Sequence, residues 1–249
     1  NPIIYVSGIY RSGTTLLARL LNSEPNVAAA SDPIRPFFNA YRTVLEKIIF
    51  GDQRLEMFRP LDDYFLGNFD YVNLLAKSKF SESISTKDQA DLRQIIANSA
   101  IPYSKSFAEN LMFKNIGQGT TWGDELNKYI GLIHSTYSKS STNIVAFKEV
   151  WAIEMALPMF NLFGKSFYLI SIIRDPRAIM ASSKRGAGDY PILYLARQWR
   201  KHLIFSYLLK DLYPDNVKIM YYEDLCKNPE ATYENTFSSI LNNYGMFIK

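Results

Sequence analysis

The chain has 249 residues, 47% hydrophobic and 21% charged, with a net charge of +4. That composition excludes a disordered polymer, and a mild positive balance with no dense Lys/Arg stripe excludes a nucleic-acid binder while fitting an anionic ligand. A single cysteine, Cys226, excludes a disulfide framework, and the separated His134 and His202 lie outside any HExxH context, so no metal is expected. No apolar run reaches membrane-span length, no signal peptide precedes the first strand and no Asn-x-Ser/Thr sequon occurs. The expected location is cytoplasmic, with an upstream membrane anchor as the alternative. One α/β domain over 1–249 fits this length.

The β-branched run Ile3–Ser7 predicts a buried parallel strand. It leads into Gly8-Ile-Tyr-Arg-Ser-Gly-Thr-Thr15, which has the strand–loop–helix layout of a P-loop. A Walker loop follows its second glycine with Lys; here Gly13 is followed by Thr14 and Thr15, and the cation sits inside the loop as Arg11. That exchange argues for an anion other than a nucleoside triphosphate. Gly8 and Gly13 let backbone approach an anion, and the helix predicted from Leu16 directs its first N–H groups at the loop. Arg11 adds a planar fork for a tetrahedral oxyanion. The plainer reading is a tight turn with a surface arginine.

A short strand is expected around Val27–Ala30, followed by Asp32-Pro33, which reads on its own as a helix N-cap and a first-turn proline. Between Phe37 and Tyr137 the pattern turns helical, broken by Gly51, Pro60, Gly67 and Gly117-Gln-Gly119. This insertion, about 40–143, is expected to cap a ligand crevice. Ser135–Thr142 reads as a solvent loop, and strands are predicted at Ile144–Lys148, Phe167–Ile173 and Val217–Tyr222. After the third of these four main strands comes Arg174-Asp-Pro-Arg-Ala, in which Asp175 suits an N-cap and Pro176 the first helical position. Arg174 therefore stands at the carboxyl end of a parallel strand, where open sheets bind ligands. Ser182 follows about two turns on, sharing a helix face with Ala178 and Arg185. Arg197–Lys201 is expected to be a solvated face of the Trp199 helix. The strand–helix alternation gives a P-loop-like three-layer α/β fold with a mainly parallel sheet and a helical cap.

The two anion motifs in this order resemble those of sulfotransferases that use 3'-phosphoadenosine 5'-phosphosulfate, nearest to the carbohydrate and tyrosylprotein branches. Tyr10-Arg-Ser-Gly-Thr-Thr-Leu-Leu17 is similar to the family's 5'-phosphosulfate loop, and Arg174-Asp-Pro-Arg-Ala with Ser182 to its 3'-phosphate motif. The resemblance covers residues 3–39, 144–187 and 215–232. It implies donor contacts from Arg11, Ser12, Gly13, Thr14, Thr15, Arg174, Ser182, Arg185 and Tyr222, the last beside the adenine. It implies Asp32, an Asp where the family usually has Glu, as catalytic base, and Lys148, with Arg11, as the cation at the transferring group. The downstream basic, glycine-containing loop of many members has no counterpart before Lys249.

The reaction implied is in-line transfer of a sulfuryl group to a hydroxyl or amine of a carbohydrate, peptide or small molecule, without a metal. Two alternatives stand beside it. A small-molecule kinase shares the fold, but the absent Walker lysine and the lack of an Mg²⁺-binding acid at a strand end count against it. The other is a nucleotide-binding chain without chemistry. Phe37, Phe38, Tyr41, Trp122 and Trp151 are the candidate lining of an aromatic acceptor pocket.

Overall fold

The computed structural model describes residues 1–51, 69–183 and 190–241. Five parallel strands make the central sheet: β1 (Ile3–Gly8), β2 (Val27–Ser31), β3 (Ile144–Val150), β4 (Phe167–Ile173) and β5 (Val217–Tyr221). Their spatial order is β2-β3-β1-β4-β5. Side chains alternate between the faces, so Ile3 and Tyr5 of β1 join one core cluster while Ile4 and Val6 join another. Val145 and Phe147 of β3 divide from Ile144 and Ala146 in the same way. Both faces are buried, which is why these strands read as nearly unbroken apolar runs. Each large side chain so buried contributes about 1.5–3 kcal/mol.

Helix α1 (Thr14–Ser23) packs Leu17 and Leu21, one turn apart, onto the second face. Between β2 and β3 the described residues form helices α2 (Arg35–Phe50), α3 (Phe69–Lys77), α4 (Thr86–Ala100), α5 (Lys105–Phe113) and α6 (Trp122–Tyr137). α6 opens on a capping box in which Thr121 and Asp124 satisfy each other's backbone N–H. The turn before α5 is pinned to the end of β2, because Ser104 Oγ accepts from Ser31 N–H at 3.0 Å and donates to Ser31 O at 2.8 Å. The remaining α-helices among the described residues are α7 (Ala156–Phe163), α8 (Pro176–Ser183), α9 (Ile192–Leu212), α10 (Tyr222–Lys227) and α11 (Pro229–Leu241). Among the described residues, no helix is long and apolar enough to cross a membrane.

Four details depart from the sequence reading. α1 begins at Thr14 rather than Leu16, because Gly13 at φ 98° closes the loop and both threonines enter the first turn. β3 runs on to Val150, so Lys148 lies inside it. Tyr222 opens α10 instead of ending β5. Lys201, expected on a solvated face, is buried: its ammonium donates to Glu154 at 3.0 Å, and Glu154 is also paired with Arg42. Burial alone would raise the Glu154 carboxyl, but Lys201 and Arg42 outweigh it and hold it below the usual range. This network joins α2, the turn after β3 and α9.

Candidate active site

In the sheet, β1 and β4 lie side by side, yet the chain leaves β1 toward β2 and leaves β4 toward β5. The loops after these strands therefore diverge at a topological switch point, opening a crevice at the carboxyl edge. Its volume is about 670 Å³. The strand order also divides its lining. Residues after β1, β4 and β5 bring the two anion motifs, whereas β2 and β3 bring Asp32, Lys148 and Trp151.

The first loop is built to keep its backbone close to the crevice. Ser12 donates both its N–H, at 3.1 Å, and its hydroxyl, at 2.7 Å, to Ile9 O, which closes the turn. Ser12 is thereby buried and outside the crevice lining, so its side chain supports the loop. A Cβ on Gly8 would sit 2.4 Å from Ser12 Oγ, and one on Gly13 2.3 Å from the Tyr222 ring, at a left-handed φ. Only glycine lets the loop and that ring close up at Gly13. Arg11 is also left-handed, at φ 65°. Thr14 and Thr15 line the crevice at the start of α1, where helix N–H groups lack intrahelical partners.

The second motif is tied directly to the first. Arg174 donates to Arg11 O at 2.7 Å, and its guanidinium lies 4.2 Å from the centre of the Tyr222 ring. Among the described residues its buried Nε has no hydrogen-bond partner, and its carbonyl accepts from Trp199 Nε1 at 2.9 Å. Arg11 Nε in turn donates to Ser182 Oγ at 3.0 Å. Asp175 caps α8 by accepting from Arg177 N–H at 2.8 Å. Arg11, Gly13, Thr14, Thr15, Arg174, Ser182 and Tyr222 thus meet in one crevice. Arg185 lies outside the described residues.

Asp32 does not cap α2, whose N-cap is Ile34. It adopts φ 47°, with its N–H donating to Lys148 O at 2.7 Å, and its Oδ2 pairs with the Lys148 ammonium. Both side chains are almost wholly buried yet touch the crevice. Asp32 Oδ1 has no hydrogen-bond partner among the described residues. Next to them Glu149 accepts from Ile34 N–H at 2.6 Å, which fixes the turn carrying Asp32. Burial, reinforced by the Asp32 charge, pushes the Glu149 carboxyl well above the usual range. The result is a buried cation between strand end and crevice, beside a carboxylate with one free oxygen.

Of the expected aromatics, only Trp151 reaches the crevice. Phe37, Phe38, Tyr41 and Trp122 are core, with Phe37 5.3 Å from Trp122 and 5.8 Å from Phe80, because α2 and α6 turn their apolar faces inward against each other. The sequence reading missed Arg35, Tyr103 and Tyr190, which line the crevice. Arg35 carried a signal, standing three residues after Asp32. Tyr103 and Tyr190 carried none, since tertiary placement alone brings them in.

A glycine loop without its Walker lysine, joined to an arginine at the carboxyl end of the neighbouring strand, gives a P-loop-like α/β fold with two linked basic motifs in one crevice. A model of the sulfotransferase family matches residues 2–239, and the chain belongs to that family. It is therefore an enzyme that transfers a sulfuryl group to an acceptor substrate. No curated protein sequence matches it. Among solved structures it is similar in fold to the sulfotransferase domain of the Synechococcus PCC 7002 olefin synthase, with a TM-score of 0.55 at 17% identity. That match covers 100% of this chain and 74% of the other. It is also similar to the sulfotransferase domain from the curacin biosynthetic pathway, with a TM-score of 0.51 at 16% identity, covering 100% and 75%.

Proposed function

We propose that the sulfuryl donor is 3'-phosphoadenosine 5'-phosphosulfate and that the acceptor group is a hydroxyl or amine. The observation that carries this reading is the direct junction of the two anion motifs, Arg174 to Arg11 O and Arg11 to Ser182. A donor with two separated anionic groups suits two linked motifs, and the glycine cradle and unpartnered Arg174 Nε fit such a ligand. When bound, the donor supplies an activated sulfuryl group on a good leaving phosphate.

The chain's own residues then position and neutralise. The α1 N–H groups with Thr14 and Thr15 hold the 5' end, Arg174 and Ser182 the 3'-phosphate, and Tyr222 the base. Lys148 stabilises charge developing at the reaction centre, and the transition state, loose as in phosphoryl transfer, makes that placement dominant. Asp32, held by Lys148 through Oδ2, takes the acceptor's proton on Oδ1. A kinase reading lacks the lysine that reaches triphosphate oxygens.

The test is Arg174→Ala, titrated with 3'-phosphoadenosine 5'-phosphate and with adenosine 5'-phosphosulfate. The former is expected to weaken at least about tenfold more than the latter, because only it carries the 3'-phosphate. Equal weakening of both ligands would remove Arg174 from that role.

A further inference from the structure

Trp151 is a bulky residue in the left-handed region, at φ 71°, where such side chains are strained. Strain of this kind persists only where the surroundings over-determine it, and it collects at ligand sites. Here the surroundings are explicit. Trp151 N–H donates to Gly8 O at 3.3 Å, and the buried Lys201 ammonium donates to Trp151 O at 2.9 Å. Lys201 is itself held by Glu154, which Arg42 clamps from α2. A buried ion network thus fixes one backbone carbonyl and aims one indole.

The indole stands among tyrosines. Its ring lies nearly parallel to Tyr10 at 6.5 Å and 5.7 Å from both Tyr190 and Tyr194. Arg35, at the start of α2, lines the same crevice, and its charge acts on Tyr194, one of these tyrosines. Among the described residues it makes no direct hydrogen bond or ion pair, and the charge it faces is the buried Glu149 carboxyl, which it helps to lower. Tyr103 joins the lining beside the end of β2, where its neighbour Ser104 is locked to Ser31. In strand order Asp32, just after β2, and Lys148, in β3, stand on the same side as Arg35 and Trp151, with β1 separating them from the motif after β4.

We infer that the β2–β3 side of the crevice is the acceptor subsite and that the acceptor is a flat-faced hydroxyl compound carrying an anionic group. Its ring face rests on Trp151, its anion meets Arg35, and its hydroxyl points at Asp32. The inference rests on the sulfuryl-transfer reading. In the step it serves, the acceptor oxygen bonds to sulfur as the bond from sulfur to the donor's bridging oxygen breaks. The hydroxyl proton passes to Asp32, and the nucleotide bisphosphate leaves. An aromatic hydroxy acid and a sugar acid both have this shape, one through its π face and the other through its C–H face.

Calorimetric titrations with 4-hydroxybenzoate, 4-hydroxybenzyl alcohol, glucuronate and glucose, with and without 3'-phosphoadenosine 5'-phosphate, decide the matter. On the parent protein at least one acid is expected to bind about tenfold more tightly than its neutral counterpart, and the better acid identifies the ring class. Arg35→Ala should erase that preference and leave nucleotide affinity unchanged. Trp151→Leu should weaken acid and neutral compound alike, with Trp151→Phe, which keeps a flat face, recovering most of the loss. Equal binding of acids and neutral compounds, or loss of nucleotide affinity in Arg35→Ala, would overturn the inference. Ring compounds that fail to bind while the nucleotide binds would overturn it too. Failure of the nucleotide alone would strike the donor assignment instead, and the ranking of ring compounds in its absence would still decide this subsite.

Discussion

Asp32 and Lys148 form their ion pair from adjacent strands, one just past the end of β2 and the other within β3. Burying such a pair costs desolvation, so its value lies less in stability than in what it holds ready. The left-handed backbone at Asp32 directs its carboxylate along Lys148, and Asn tolerates that conformation nearly as well as Asp. Asp32→Asn therefore tests the charge rather than the turn. Turnover per folded molecule is expected to fall by roughly 10²–10⁴-fold while nucleotide affinity persists. The melting temperature should fall as well, since Lys148 then lies buried without its counter-charge. Turnover close to the parent's would retire Asp32 as the base and turn attention to Glu149, which stands beside it.

At the scale of elements, what the sequence made legible was whatever is local. Gly8–Thr15 and Arg174–Ala178 each encode a strand end, a turn and a helix start within one window, and both motifs reach the crevice. The buried strands were readable from their β-branched runs. What escaped depends on distant segments meeting. Lys201 reads like any helix-face lysine until Glu154 and Arg42, far apart in the chain, are brought to it. Phe37 and Trp122 are as aromatic as Trp151, yet helix phase sends them to the core.

Helix α9 shows the same limit. His202 packs on β4, its Nε2 2.9 Å from Ser171 Oγ, which also bonds Ser206 Oγ at 2.7 Å. Burial and the nearby Lys201 charge lower the His202 imidazole from 6.5 to about 3. Below pH 6.5 the unfolded chain takes up a proton that the folded chain refuses until about pH 3, so stability drains as pH falls through that interval. At about 1.4 kcal/mol per pKa unit, the full loss is on the order of 5 kcal/mol. His202→Gln should flatten this acid limb, read from denaturant midpoints between about pH 7 and pH 4. A parent and variant that lose stability in parallel would show that His202 does not set the slope.

At the scale of the whole molecule, the parallel sheet divides the labour of the crevice. The loops after β1, β4 and β5 carry the anion motifs, and β2 with β3 carries the ion pair and the indole. The segment entering α5 docks beside the ion pair through Ser104, on the side of the sheet away from the motif after β4. Membership of the sulfotransferase family, over residues 2–239, accords with this division. The central claim is that the joined motifs recognise a nucleotide by its 3'-phosphate and not by a triphosphate. Calorimetry of the parent protein with 3'-phosphoadenosine 5'-phosphate, and separately with ATP and Mg²⁺, tests it most directly. The bisphosphate is expected to bind at least about tenfold more tightly, the margin that one charged hydrogen-bonded contact supplies. ATP with Mg²⁺ binding as tightly or more so would contradict the account.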